Sequence, residues 1–246
     1  NIISEAKNIQ IRPEDRNTNG ELLVSPEGNV SHLPEREWRM VRTNAFKEWF
    51  GQSLVLDENQ EPLITYHGSD ATFSTFDTSQ SKKPAFDSGY FGKGNYFTEQ
   101  KKLAETYGPV LYKTFLRIEK LQVFSVEHGN VRFTDKKFPE EIHDEIFSRY
   151  EQRKQDRMAK LRRKEAEDQG KLRGWGFVST DLSNEETFES ILSEEVTNVL
   201  KERGCDGVLG YNPISKLYEY VVFGGNDVMI IPNETITAKT ESVLDE

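Results

Sequence analysis

Tyr218-Glu219-Tyr220-Val221-Val222-Phe223 is a run of aromatic and β-branched residues broken by one carboxylate. Such residues favour a pleated, half-buried strand, and Leu217 extends the run at its start. A glutamate in a buried strand is costly unless it is paired or used, so Glu219 demands an explanation. Two more segments repeat the pattern of one polar side chain in a β-prone run: Tyr66-His67-Gly68-Ser69, and Gly92-Lys93-Gly94-Asn95-Tyr96-Phe97. Three such strands predict a shared cleft lined by an imidazole, a phenol and a carboxylate, from His67, Tyr96 and Glu219. That combination is the reason to read the chain as an enzyme.

Around these segments the pattern predicts an α+β domain of short strands with segregated helices. Residues 1–36 are polar and broken by Pro13, Pro26, Gly28 and Pro34, which reads as an arm or linker. Trp38, Val41, Phe46, Trp49 and Phe50 then recur at helical spacing, and Gly51 stands where a helix would stop. A hairpin is expected over 54–66, turning at Asp57-Glu58-Asn59-Gln60. Phe73 and Phe76 are expected to pack a loop over it, and the small, polar residues 77–90 to form a flexible connection beside a ligand. A helix over 99–107 precedes strands at 110–118 and 121–124. Residues 139–172 form a charged helical block, basic in its second half, with Ile142, Ile146, Tyr150 and Met158 as its apolar positions. A second helix over 185–203 buries Phe188, Ile191, Leu192, Val196, Val199 and Leu200. Strands at 206–210, 217–223 and 228–231 follow, the first two joined by a turn at Asn212-Pro213, and 233–246 is a polar tail. The domain proper is thus expected at 37–232.

Composition narrows the possible functions. The chain has 246 residues, 35% of them hydrophobic, but its 15 Phe, 9 Tyr and 3 Trp supply bulky core material. The net charge of -10 argues against a uniformly basic nucleic-acid surface, though not against a local patch. Cys205 is the only cysteine, so neither an intramolecular disulfide nor a cysteine-based zinc site is available. His32, His67, His128 and His143 have no metal-site spacing. No apolar run is long enough to span a membrane, and a cytoplasmic location is expected, in the producing cell or in one that receives the protein. The start at Asn1 reads as a fragment or processed product, part of a larger multidomain protein.

The site residues each have a plainer reading. His67 alone is an ordinary structural histidine, but Gly68 beside it lets a ligand approach the backbone, whose N–H and C=O can pair with a planar carboxamide. Gly92-x-Gly94 is not a Walker A loop, since no Gly-Lys-Ser/Thr follows; its use is to bring Tyr96 to a cleft wall. Tyr107 offers a second aromatic face, and two facing rings make a slot for a flat cationic heterocycle. Ser179-Thr180-Asp181 reads as a helix cap rather than a nucleophile.

In this order the segments resemble the His-Tyr-Glu branch of the ADP-ribosyltransferases, the group of diphtheria toxin and the poly(ADP-ribose) polymerases. His67-Gly68-Ser69 is similar to that family's first motif. Phe91-Gly92-Lys93-Gly94-Asn95-Tyr96-Phe97 is similar to its second, with Tyr107 at the place of the second stacking tyrosine. The wider pattern, from Asn44-Ala45-Phe46-Lys47-Glu48-Trp49-Phe50-Gly51 through Gly204-Cys205-Asp206-Gly207-Val208 to Glu219, resembles most the ADP-ribosyltransferase domains of phage and mobile-element polyvalent proteins.

The resemblance covers about residues 43–232 and implies two small, mainly antiparallel sheets clasping NAD, with peripheral helices and a charged helical insertion. It implies that His67 bonds the adenine-side ribose, that the Gly68 backbone, next to Ser69, holds the nicotinamide carboxamide, and that Tyr96 and Tyr107 sandwich the nicotinamide ring. Glu219 would bind the 2′-hydroxyl of the other ribose and stabilise the oxocarbenium-like centre as nicotinamide leaves. No metal is implied.

Two departures stand out. Where relatives carry a serine three residues before the second tyrosine, this chain has Ala104, which predicts NAD binding weaker by about 1 kcal/mol. Two residues before Glu219 stands Leu217, not the Glu or Gln of arginine-modifying relatives. The resemblance therefore implies a mono-ADP-ribosyltransferase acting on a macromolecular acceptor, protein ahead of nucleic acid, in a toxin or a phage or mobile-element effector. An NAD glycohydrolase and a non-catalytic NAD-binding module remain as alternatives, and the basic insertion at 151–173 is expected to help select a target.

Overall fold

The computed structural model describes residues 1–76, 91–125, 140–171, 188–212 and 217–232. The expected connection at 77–90, His128, the cap at Ser179-Thr180-Asp181, the turn at Pro213 and the tail from 233 lie outside the described residues.

The described residues form six α-helices and seven strands. Helices α1 (Ile2–Asn8), α2 (Glu35–Met40) and α3 (Asn44–Phe50) precede β1 (Thr65–Ser69) and β2 (Asn95–Thr98). Then come α4 (Lys101–Ala104), β3 (Val110–Leu116), β4 (Leu121–Ser125), α5 (Glu140–Lys171), α6 (Phe188–Glu202), β5 (Gly207–Asn212), β6 (Leu217–Val222) and β7 (Val228–Ile231). The charged block is one helix of 32 residues. A helix ends at Gly51 as expected, with φ at 58° and its N–H on the Lys47 carbonyl at 3.1 Å. Thr43 caps the start of α3 by accepting from Phe46 N–H at 3.1 Å. The expected hairpin at 54–66 is reduced to a single bridge, Leu56↔Pro62, around a turn in which Asp57 Oδ1 accepts from Asn59 and Glu61 N–H.

The strands form one hydrogen-bonded series in the order β4-β5-β6-β2-β1-β3-β7. Every pairing is antiparallel except β4 with β5. The two sheets of the sequence reading are here joined, and the joint is narrow: β1 and β2 share one register pair, Tyr66↔Thr98. By contrast β1 and β3 share five and β2 and β6 share four.

Strand alternation divides the core. On one side α5 and α6 cover the β4-β5-β6-β2 half, burying Phe91, Phe124, Ile146, Val196, Val208 and Val221 together. On the same side of the other half, α1, α2 and α3 pack Trp38, Phe46 and Phe50 on Phe115 and Ile231. A third cluster, with Phe76, Phe97, Tyr112, Tyr220 and Val222, fills the opposite side.

The first 36 residues, expected as an arm or linker, are part of the second cluster: Ala6 and Leu33 are buried there, with Ile2, Ile3, Ile9 and Ile11 packed against it. Trp38 Nε1–H donates to the Val24 carbonyl, and Asn59 Nδ2–H to that of Val30. Apolar side chains spaced widely among polar ones give little periodic signal, yet each finds a place on a preformed surface.

Candidate active site

Following the register pairs across the sheet gives a row through all seven strands: Ile231, Lys113, Tyr66, Thr98, Glu219, Gly210, Phe124. Residues directly opposite share a face, so all seven side-chain positions lie on the side covered by the helices. The ends of the row are apolar and its middle is polar. Lys113 Nζ pairs with the buried Glu37 at 2.7 Å, and burial together with the Glu37 charge raises the Tyr66 phenol above its usual pKa. The row crosses the sheet where the first helical cluster gives way to the second.

Glu219 sits in the middle of this row, half-buried rather than fully enclosed. Gly210 is its neighbour on β5, and a Cβ there would lie 2.2 Å from the Phe91 ring. Phe91 therefore covers the space beside Glu219 that a larger residue at Gly210 would fill. On the β2 side the opposite residue is Thr98, which is 5% exposed.

Tyr96 lies two residues from Thr98 and shares its face. It is thus the diagonal neighbour of Glu219, a relation in which aromatic and long side chains are within reach. Its hydroxyl donates to the Gly92 carbonyl at 2.6 Å and accepts from Phe91 N–H at 3.0 Å, closing the Phe91-Gly92 loop onto the strand. Gly92 has φ at 111°, and a Cβ on it would meet Thr197 Oγ1 at 2.7 Å, so the glycine is required there on both counts. The second motif is a clip that ties its own tyrosine down.

Gly68 and Tyr107 meet at another wall. A Cβ on Gly68 would fall 1.8 Å from the Ala104 carbonyl oxygen and 3.3 Å from Tyr107 Cβ. The space that the sequence reading kept for a ligand at Gly68 Cα is taken by the end of α4. What the absent side chain permits is the seating of α4 and of the turn carrying Tyr107 directly on β1. Tyr107 is 49% exposed, beside Gly68. Ser69 Oγ accepts from Ala71 N–H at 3.1 Å and serves the turn that leaves β1.

His67 is separated from Glu219 by strand alternation. It stands opposite Tyr112 and one residue from Tyr66, which puts its ring on the far side of the ladder among Phe73, Phe76, Phe97 and Tyr112. Its Nδ1 lies 2.7 Å from the Tyr96 carbonyl oxygen, which can only accept. Nδ1 therefore carries the hydrogen, and Nε2 is the acceptor of the neutral ring. The bond ties His67 to β2 just where the β1–β2 register stops, so the imidazole spans the notch between the two strands. The structure thus brings Tyr96 toward Glu219 and Tyr107 toward Gly68, and puts the His67 ring across the sheet from the carboxylate.

Sequence reading missed Thr98, Tyr66 and the Lys113–Glu37 pair. Thr98 was findable: it is two residues from Tyr96 and so shares its face. The Tyr66–Thr98 match needs the register between strands, which no single strand encodes. Among the described residues no group of three or more His, Cys, Asp or Glu could hold a metal ion. No described helix is long and apolar enough to cross a membrane.

Comparison with known proteins gives one informative result. No curated protein matches. A solved structure titled "Crystal structure of an anti-CRISPR protein" aligns at 16% identity over 68% of this chain and 94% of that one, with a TM-score of 0.31, too loose to support a conclusion. The model of the family described as ADP-ribosyltransferase in polyvalent proteins matches residues 57–237, well over half of the chain and inclusive of His67, Tyr96, Tyr107 and Glu219. By that match the chain belongs to the ADP-ribosyltransferases of polyvalent proteins.

Proposed function

We propose that this domain is a mono-ADP-ribosyltransferase, transferring ADP-ribose from NAD to a macromolecular acceptor, protein ahead of nucleic acid. The observation that carries the reading is the diagonal relation of Tyr96 and Glu219 on β2 and β6, within the stretch that matches an ADP-ribosyltransferase family. In the reaction the bond from the ribose anomeric carbon to the nicotinamide nitrogen breaks, and its electron pair leaves with neutral nicotinamide. The acceptor's nucleophile bonds to that carbon and gives up its proton. Positive charge develops on the ribose as the bond stretches, and the Glu219 carboxylate, bonded to the 2′-hydroxyl, stabilises it.

The remaining residues fit the substrate in parts. The oxidised nicotinamide ring is flat and cationic and suits stacking on Tyr107, with Tyr96 as the facing wall. The Gly68 backbone beside Tyr107 is suited to the carboxamide. The Nε2 acceptor of His67 fits a ribose hydroxyl on the adenine side, so a dinucleotide lying across the β1–β2 notch would touch His67 and Glu219 from opposite sides of the sheet. Ala104 offers no hydroxyl to the carboxamide, so NAD is expected to be held about 1 kcal/mol more weakly than with a serine there.

The test is incubation with a host lysate and NAD labelled in its adenylate half. A macromolecule gaining one ADP-ribose by mass, with equimolar nicotinamide release, supports transfer. Release of free ADP-ribose alone would replace this reading with NAD glycohydrolysis, and binding without release would leave only a binding module.

A further inference from the structure

The loop that holds Tyr96 is itself held by α6. Thr197, 5% exposed on that helix, grips the backbone of Lys93 through one hydroxyl. Its Oγ1 accepts from Lys93 N–H at 2.6 Å, and its hydrogen is donated to the Lys93 carbonyl at 3.0 Å. The Ser193 carbonyl, one helical turn earlier, lies 3.2 Å from the same N–H and 3.3 Å from the Thr197 hydroxyl. It shares in accepting from Lys93, but a carbonyl cannot donate back. Lys93 adjoins Gly92, whose carbonyl accepts from the Tyr96 hydroxyl, and Phe91 N–H donates to that hydroxyl. The anchor is firm. Ile191, Val196, Val199 and Leu200 of α6 are fully buried, and its Glu195 and Glu202 pair with Arg153 and Arg149 of α5.

We propose that Thr197 is a positioning residue for Tyr96, fixing through Lys93 and Gly92 the wall on which the nicotinamide ring stacks. The inference rests on the proposed place of Tyr96 in the NAD slot, but the hold on Tyr96 can be measured without NAD. Loops are ordinarily the mobile parts of a fold. Here a buried hydroxyl ties one to a helix before substrate arrives, which lowers the ordering cost of binding. The nicotinamide ring is cationic while NAD is whole and neutral once it leaves, so a stacking wall favours bound substrate over the transition state. A loosened wall therefore raises KM more than it lowers kcat.

Thr197→Ser keeps the hydroxyl and loses only the methyl, whereas Thr197→Ala loses both, so their difference isolates the hydroxyl. In equilibrium binding of NAD without acceptor, Thr197→Ala is expected to weaken affinity about 5-fold or more, and Thr197→Ser less than about 2-fold. In nicotinamide release KM is expected to rise in step, with kcat changed less than about 3-fold. Tyr96→Phe cuts the link to Gly92, and in that background Thr197→Ala is expected to weaken affinity less than about 2-fold further. Wild-type affinity in Thr197→Ala would overturn the proposal. So would equal losses in the serine and alanine variants, which mark a packing role, or the full alanine loss in the Tyr96→Phe background. The same cycle read on unfolding midpoints needs no NAD: the two substitutions are expected to couple, and additivity would overturn the hold on Tyr96. Coupling in a protein that neither binds NAD nor releases nicotinamide would uphold that hold and reject the proposed function instead.

Discussion

At Gly68 a methyl group would sit 1.8 Å from the Ala104 carbonyl oxygen, so the site depends on a side chain that is absent. Gly68→Ala must push α4 off β1, and Tyr107 with it, because the obstacle is backbone rather than a movable side-chain tip. The expected cost is that of overpacking, about 1–3 kcal/mol. NAD affinity is expected to fall as well, since Tyr107 and the Gly68 backbone move apart. Thermal unfolding with NAD titration checks both, and an alanine variant with unchanged melting temperature and affinity would contradict the packing described. The sequence made Gly68 noticeable beside His67 but did not show that α4 packs directly on it. A glycine needed for ligand approach and one needed for helix approach look alike in a single sequence.

Among the elements, β6 is divided most sharply between its two faces. Glu219 and Val221 point toward the helical side, while Tyr220 and Val222 point into the opposite cluster with Phe97. Burial, with smaller contributions from the charges of Glu99 and Tyr218, raises the Tyr220 phenol well above its ordinary pKa. The sign of the consequence follows. Ionisation is easier in the unfolded chain, near pH 10, than in the fold, so the stability held by neutral Tyr220 is complete below about pH 10 and is lost progressively above it. Unfolding midpoints measured from pH 8 to 11 should be level at first and then fall, and Tyr220→Phe should flatten the fall; an identical decline in that variant would contradict the assignment. The strand was legible because aromatic and β-branched residues dominate it, and so was the helix ending at Gly51. The face of His67 was not, because it depends on how β1 meets β2, and one pair, Tyr66↔Thr98, settles that.

Across the whole molecule, the part matched by the family model begins at residue 57, yet the second core cluster is built largely from residues before it. Trp38, Met40, Phe46 and Phe50 close over Phe115 and Ile231, and Ala6 and Leu33 seal their outer side. Removing residues 1–34 strips this cover and leaves the Trp38 N–H without the Val24 carbonyl. Burial of large apolar side chains contributes about 1.5–3 kcal/mol each, so the shortened chain should unfold at markedly lower denaturant or fail to stay soluble. A truncated protein with the full-length midpoint would show that the segment is an appendage after all. The strands near 217–223 and 228–231 were readable from residue type and spacing. The place of the N-terminal segment was not, because its apolar residues are few and find their partners on β3 and β7, far along the chain.

These levels converge on Glu219, held in the row between Thr98 and Gly210 with Tyr96 on the diagonal. The most direct measurement is nicotinamide release from NAD by wild-type protein and by Glu219→Ala, with circular dichroism of both. The expected result is measurable release by the wild type, a loss of about 100-fold or more in the variant, comparable to removing a principal electrostatic stabiliser, and unchanged spectra. A folded Glu219→Ala protein that releases nicotinamide at the wild-type rate would contradict the assignment.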